Sequence, residues 1–189
     1  MFAIVDMVSR CWIATLVSTE ETSTQVRVVF DQALIAQGLD ELLTDDRLDL
    51  DTDDPDRPIL LAVSDNGPAM TSHDTRAYMA MMAIAQHPRR PHTPTDQAWI
   101  ESFFGHIKHE WPHLNEITDP ALLDTELARI QIDYNEVRLH EAIGYLTPND
   151  EHHQRGQAIR EARRQGLQRA RTRRLDHNRQ TTTNPENTA

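Results

Sequence analysis

The run Ile59-Leu60-Leu61-Ala62-Val63 is the feature that most limits what this chain can fold into. Five apolar residues without alternation, too few for a helix, read as a strand covered on both faces by other elements. Ser64-Asp65-Asn66-Gly67 follows directly, so the run delivers the Asp65 carboxylate at its carboxyl end. A second acid, Glu101, sits in Trp99-Ile100-Glu101-Ser102-Phe103-Phe104-Gly105, where Ile100, Phe103, Phe104 and Ile107 recur at helical spacing. One acid ends a strand and the other rides a helix. Rigid elements converging two carboxylates is what a hard divalent cation requires, and a pair of such ions clamps an in-line phosphoryl transfer.

The remaining pattern is that of an α/β domain. Phe2–Val8 and Cys11–Ser18 are rich in Val, Ile, Trp and Thr, and Ser9-Arg10 between them predicts an antiparallel hairpin. Residues 22–37 carry Val26, Val29, Phe30, Ala33 and Leu34 at helical spacing, with Gly38 as a stop. Thr71–Met82 reads as a helix and Ile84–His87 as a short strand. Three prolines in His87–Pro94, around Arg89 and Arg90, forbid regular structure there. Thr95 is placed to cap the next helix, on which Gln97, Glu101, Gly105 and Lys108 share a face at about 100° per residue. Lys108 is the sole lysine of the chain. Residues 40–58 form an acidic insertion whose Asp49-x-Asp51-x-Asp53 spacing lacks the Gly and the final Glu of a calcium loop.

Charge is divided unevenly along the 189 residues. The net charge is −11, yet residues 155–179 hold nine Arg against Glu161 and Asp176. An acidic body with a basic tail disfavours DNA except where metal ions or the tail bridge the contact. The single Cys11 excludes an internal disulfide framework and fits a reducing, cytoplasmic setting. No stretch reaches the roughly 20 apolar residues of a membrane span.

Four ordered motifs carry a resemblance. Ser64-Asp65-Asn66-Gly67-Pro68 and Asp96–Lys108 resemble the second and third acidic motifs of insertion-sequence transposases with a retroviral-integrase-type DDE core. Tyr134-Asn135-x-x-Arg138-x-His140-x-Ala142-Ile143-Gly144-Tyr145-x-Thr147-Pro148 resembles the end of that core, and Ile4–Arg10 its second strand and following turn. The resemblance implies an RNase H-like mixed sheet flanked by helices over residues 1–150; the charge distribution gives an Arg-rich helical tail over 151–179, and the patternless 180–189 reads as disordered. It further implies Mg²⁺ or Mn²⁺ held by Asp65 and Glu101, with Lys108, Arg89 and Arg90 on DNA. Cleavage and joining of mobile-element ends by a multimer would follow. The family's first catalytic Asp lies on a central strand preceding Ile4–Arg10. The chain is therefore expected to lack that acid and that strand, as a relic or through a start set too far downstream, and to be inactive alone. Asp6 is expected to serve packing or to pair with Arg10 rather than to replace the missing acid.

Two other readings follow from the residues. One is a non-catalytic DNA-associating fragment, using arginines of the tail. The other is a zinc protease, because His109-Glu110-Trp111-Pro112-His113 has the H-E-x-x-H spacing; Pro112, however, is expected to end the helix before the second His.

Overall fold

The computed structural model describes residues 1–40, 58–64, 67–88 and 95–183. Strand β1 (Phe2–Val5) pairs antiparallel with β2 (Trp12–Leu16), and helix α1 (Ser23–Ala36) packs on the pair. Strand β3 (Leu60–Ser64) leads into the short helix α2 (Pro68–Thr71) and α3 (His73–Met81), then β4 (Ile84–Pro88) returns parallel to β3. Helices α4 (Thr95–Glu110) and α5 (Pro120–Glu136) follow, separated by a 3-10 turn at Pro112–Glu116. Helix α6 (Pro148–His152) precedes α7 (Gly156–Thr183), which runs past the tail boundary expected at residue 179.

The hairpin is tighter in its strands and wider in its loop than its composition predicts. Residues 6–11 form a six-residue connection, with the Arg10 amide donating to Asp6 O at 2.8 Å and Arg10 itself at φ 65°. The Asp6 side chain drives this. Its Oδ1 accepts from the Val8 amide at 3.1 Å, and its Oδ2 accepts from the Ser9 amide at 3.2 Å and from the Ser9 hydroxyl. An Asp that bonds the backbone two and three residues on favours a turn over continued strand. Residues 71–82 likewise divide: Ser72 breaks the helix, and its Oγ caps α3 by accepting from the Thr75 amide at 3.1 Å.

The expected mixed sheet is present as two halves. β1–β2 and β3–β4 are separate two-stranded sheets, and among the described residues β1 and β3 are not paired with each other. One consequence contradicts the reading of Ile59–Val63 as covered on both faces: Leu61 is 58% exposed, and only Ala62 of β3 is fully buried. Among the described residues no strand is hydrogen-bonded along the second edge of β3.

Helices hold the halves in place. Val26, Leu34, Ala62, Tyr78, Met79 and Ile84 form one core between α1, α3 and the β3–β4 pair. Trp12, Phe103, Ile107, Leu127, Ile130 and Tyr134 form another, joining β2 to α4 and α5. The Trp12 ring meets Phe103 edge-on at 4.9 Å and Tyr134 at 5.9 Å, arrangements that add to the burial of the rings. Among the described residues, no helix is long and apolar enough to cross a membrane.

Candidate active site

A cavity of about 1460 Å³ opens between the two half-sheets. Residues 1–8 and 60–64 supply opposite walls, and Glu101, His106, Arg138 and His140 come in from α4 and the segment after α5. The apolar stripe expected for α4 explains the placement of Glu101. Phe103 and Ile107 are buried and Ile100 and Phe104 half-buried, so Glu101, Gly105 and Lys108 are left exposed on the adjoining side. Phe103 therefore works as core, as its spacing predicts.

Glu101 has no hydrogen-bond or ion-pair partner among the described residues, and the same is true of Lys108. Glu21 and Glu141 also line the cavity and likewise have no side-chain partner among the described residues, whereas Glu110, about two and a half turns along α4 from Glu101, pairs with Arg138 at 2.7 Å. An unpartnered carboxylate at a cavity has its lone pairs free for a cation, and oxygen is the donor that Mg²⁺ or Mn²⁺ prefers. The donor chemistry thus fits a hard divalent ion, although no group of three or more His, Cys, Asp or Glu side chains among the described residues is close enough to hold one. Asp65, Arg89 and Arg90 lie outside the described residues. Ser64 and Gly67, on either side of position 65, line the same cavity as Glu101.

Asp6 also borders the cavity, in a different state. Besides its bonds to residues 8 and 9, Oδ2 lies 3.4 Å from His152 Nδ1. Burial alone would raise its carboxyl, but the hydrogen bonds from the Ser9 hydroxyl, the Val8 and Ser9 amides and His152 outweigh that and hold it below the usual range. This is the packing role expected of Asp6, with Ser9 and His152 as its side-chain partners. His152 is a connection that sequence reasoning missed. Its Nε2 lies 2.6 Å from Gln37 Oε1 while Nδ1 lies 3.1 Å from Ser9 Oγ, tying the first turn to the end of α1. The 143-residue separation of Ser9 and His152 leaves no local signal for it.

The Tyr134–Pro148 motif turns out to brace the site. Asn135 Oδ1 accepts from the Trp12 amide at 2.9 Å and its Nδ2 donates to Trp12 O at 2.9 Å, while Gln131 Nε2 donates to the same carbonyl at 2.7 Å. Arg138 lies over the Tyr134 ring at 5.7 Å, and His140 packs edge-on to that ring at 4.7 Å. Burial first, and then the Arg138 charge, push the His140 imidazole down to about 4. Tyr145 is 55% exposed with φ 56°, because the left-handed turn at Gly144-Tyr145 points it outward.

The H-E-x-x-H spacing does not form a metal-binding helix face. α4 ends at Glu110, Pro112 opens a 3-10 turn, and His113 Nε2 sits 2.9 Å from Glu126 Oε1. The two His are on different elements and the intervening Glu is held by Arg138. That overturns the protease reading on geometry.

Solved structures with this fold include two integrases. The catalytic core domain of BIV integrase aligns at a TM-score of 0.54 and 20% identity, covering 83% of this chain and 87% of that one. An intasome of simian T-cell lymphotropic virus in complex with PP2A regulatory subunit B56 gamma aligns at 0.57 and 20%, covering 80% of this chain and 47% of that one. The class these neighbours define is an RNase H-like α/β fold of the integrase catalytic-core kind. Residues 82–148 match the integrase core domain family, and part of the chain is similar to proteins of two insertion elements. A 31.7 kDa uncharacterized protein of insertion element IS407 from Burkholderia multivorans is 31% identical over 87 residues, 46% of this chain and 31% of that protein. A 39.2 kDa uncharacterized protein of insertion element IS476 from Xanthomonas euvesicatoria is 32% identical over 85 residues, 45% of this chain and 25% of that protein. The matches thus span about a third or less of these relatives.

Proposed function

We propose that this chain is the core of a transposase acting on mobile-element DNA, with Asp65 and Glu101 as ligands to Mg²⁺ or Mn²⁺. The observation that carries the reading is the unpartnered Glu101 carboxylate at a cavity also lined by Ser64 and Gly67, which flank residues 65 and 66. When bound, the ions supply Lewis-acid activation of a water or 3′-hydroxyl and stabilise the leaving oxygen. The protein's own part is positioning. α4 fixes Glu101 through Phe103 and Ile107, and the exposed Lys108, two turns on, is available to a phosphate. Arg89 and Arg90, in the Pro-rich segment before α4, are assigned to the DNA backbone on the family resemblance. Action as a homo-oligomer bridging two DNA ends belongs to the same reading.

The polypeptide of residues 1–189 is expected to bind the ion without completing strand transfer. Its motifs supply two acids, and Asp6 is spent on its own turn. Manganese binding followed by electron paramagnetic resonance tests the first part. Glu101→Gln and Asp65→Asn should each weaken it at least tenfold, and unchanged binding in both would refute the assignment. Incubation with supercoiled plasmid and Mn²⁺ tests the second part. Strand cutting that disappears in Glu101→Gln would show the 1–189 polypeptide to be competent alone.

A further inference from the structure

The arginines of α7 fall into two groups by what they touch. Near its start, Arg160 Nη2 donates to Ile143 O at 3.1 Å and to Glu151 Oε2 at 2.7 Å, and Arg163 donates to Gly144 O and Tyr145 O at 3.1 and 2.9 Å. These bonds anchor the helix. On the same helix Arg164 has the Glu161 carboxylate at 2.8 Å, and elsewhere Arg129, Arg138 and Arg155 each have a carboxylate oxygen within 2.7–2.9 Å. Arg169, Arg171, Arg173 and Arg174 have none among the described residues, and all four are exposed. Arg173 and Arg174 only lean back on the carbonyls of Arg169 and Ala170. Four unneutralised charges within six residues, with 169 and 173 repelling at i,i+4, cost the helix stability that its own sequence does not return.

Their arrangement around the helix is specific. At about 100° per residue, Arg169 and Arg173 lie about 40° apart on one side, and Arg171 and Arg174 about 60° apart on the other. The arc of about 200° containing all four holds no acid; Glu161 and Asp176 fall outside it. Half-buried Gly166 and Ala170 lie between the two pairs, leaving a low floor.

We infer that α7 binds duplex DNA by lying along the major groove, with Arg169 and Arg173 on the phosphates of one strand and Arg171 and Arg174 on those of the other. A helix about 10–12 Å across matches a groove about 12 Å wide, and its backbone walls are the anionic surfaces that two opposed basic pairs require. A flat anionic lipid surface lacks the two opposed walls that a pair on either flank of the helix would meet in a groove. This contact requires nothing of Glu101. It adds a cationic DNA contact to those proposed for Arg89, Arg90 and Lys108, and four phosphates neutralised by arginine make it strongly salt-dependent.

The test uses the full chain and a fluorescein-labelled duplex of about 30 base pairs of arbitrary sequence, read by fluorescence anisotropy between about 50 and 200 mM KCl. A contribution of about −3.6 to the logarithmic salt slope, about 0.9 per phosphate, is expected from these four arginines. Replacing all four arginines by Gln should remove most of that contribution and cost on the order of 100-fold in affinity at low salt. The paired variants R169Q/R173Q and R171Q/R174Q should each remove about half of it, and replacement of all four by Lys should preserve it. Circular dichroism reports whether α7 survives. If the Gln variant loses helix, the Lys variant and the two paired variants carry the test. Duplex binding unchanged by the Gln substitutions overturns the inference. So does a loss confined to one pair, or a loss seen on phosphatidylserine vesicles but not on DNA. Glu101→Gln should leave the slope intact, so failure of the metal assignment and failure of this contact are separately visible.

Discussion

Two of the carboxylates that border the cavity, Asp6 and Glu101, have opposite fates. Asp6, at the tip of the first hairpin, accepts two backbone amides and a hydroxyl and lies within reach of His152; Glu101, on α4, accepts nothing among the described residues. A structural acid spends its lone pairs on the fold, whereas one that a ligand will use keeps them open at some cost to the apo protein. Lone-pair accounting separates the two more sharply than burial does, since both side chains reach solvent.

The largest effect expected is on what joins the hairpin to the helix that carries Glu101. Trp12→Ala removes the ring shared by β2, α4 and α5 and should cost about 3–5 kcal/mol in urea unfolding. A loss below about 1 kcal/mol would mean that the hairpin and α4 are not coupled through this ring. Asp6→Ala should cost about 1–3 kcal/mol by leaving the Val8 and Ser9 amides without their acceptor, with manganese binding unchanged. Glu101→Gln should reverse that pattern: stability within about 0.5 kcal/mol of the parent, ion binding lost. If the two variants behave alike in both assays, the contrast between the acids fails.

Acid titration sharpens the contrast. The Asp6 carboxyl is depressed in the folded chain, so its contribution is complete above the unfolded value of 3.8 and is lost as pH falls through the folded value. His140 acts in a higher window. Held down to about 4 against 6.5 when unfolded, it stays neutral in the fold while the unfolded chain takes up a proton. Stability should therefore decline as pH drops from about 6.5 to about 4, and His140→Gln should flatten that decline in urea titrations at several pH values. An unaltered slope would remove burial of His140 as its source.

The helical stripe of α4 was legible from spacing alone, because Ile100, Phe103, Phe104 and Ile107 repeat at the period a helix imposes. That stripe fixes which side Glu101 faces. Likewise, Pro112 announced the break in the H-E-x-x-H segment through its missing amide hydrogen. Long-range partners were not legible. Ser9 with His152 and Trp12 with Asn135 are joined only by the folded path of the chain, and neither residue type names its partner. The burial expected for Leu61 also failed, because an apolar run reports preference for a covered site and says nothing of whether a neighbouring strand supplies the cover.

The side-chain amide of Asn135 has a consequence for association between molecules. By bonding both the amide and the carbonyl of Trp12, it imitates the backbone of an adjoining strand and caps the outer rim of the hairpin where another chain would begin to add. Edge-to-edge stacking from that side is thereby discouraged at its first rung. Replacing Asn135 by Leu should expose this rim and raise the tendency to aggregate during refolding, measurable by light scattering, before any loss of ion or DNA binding is seen.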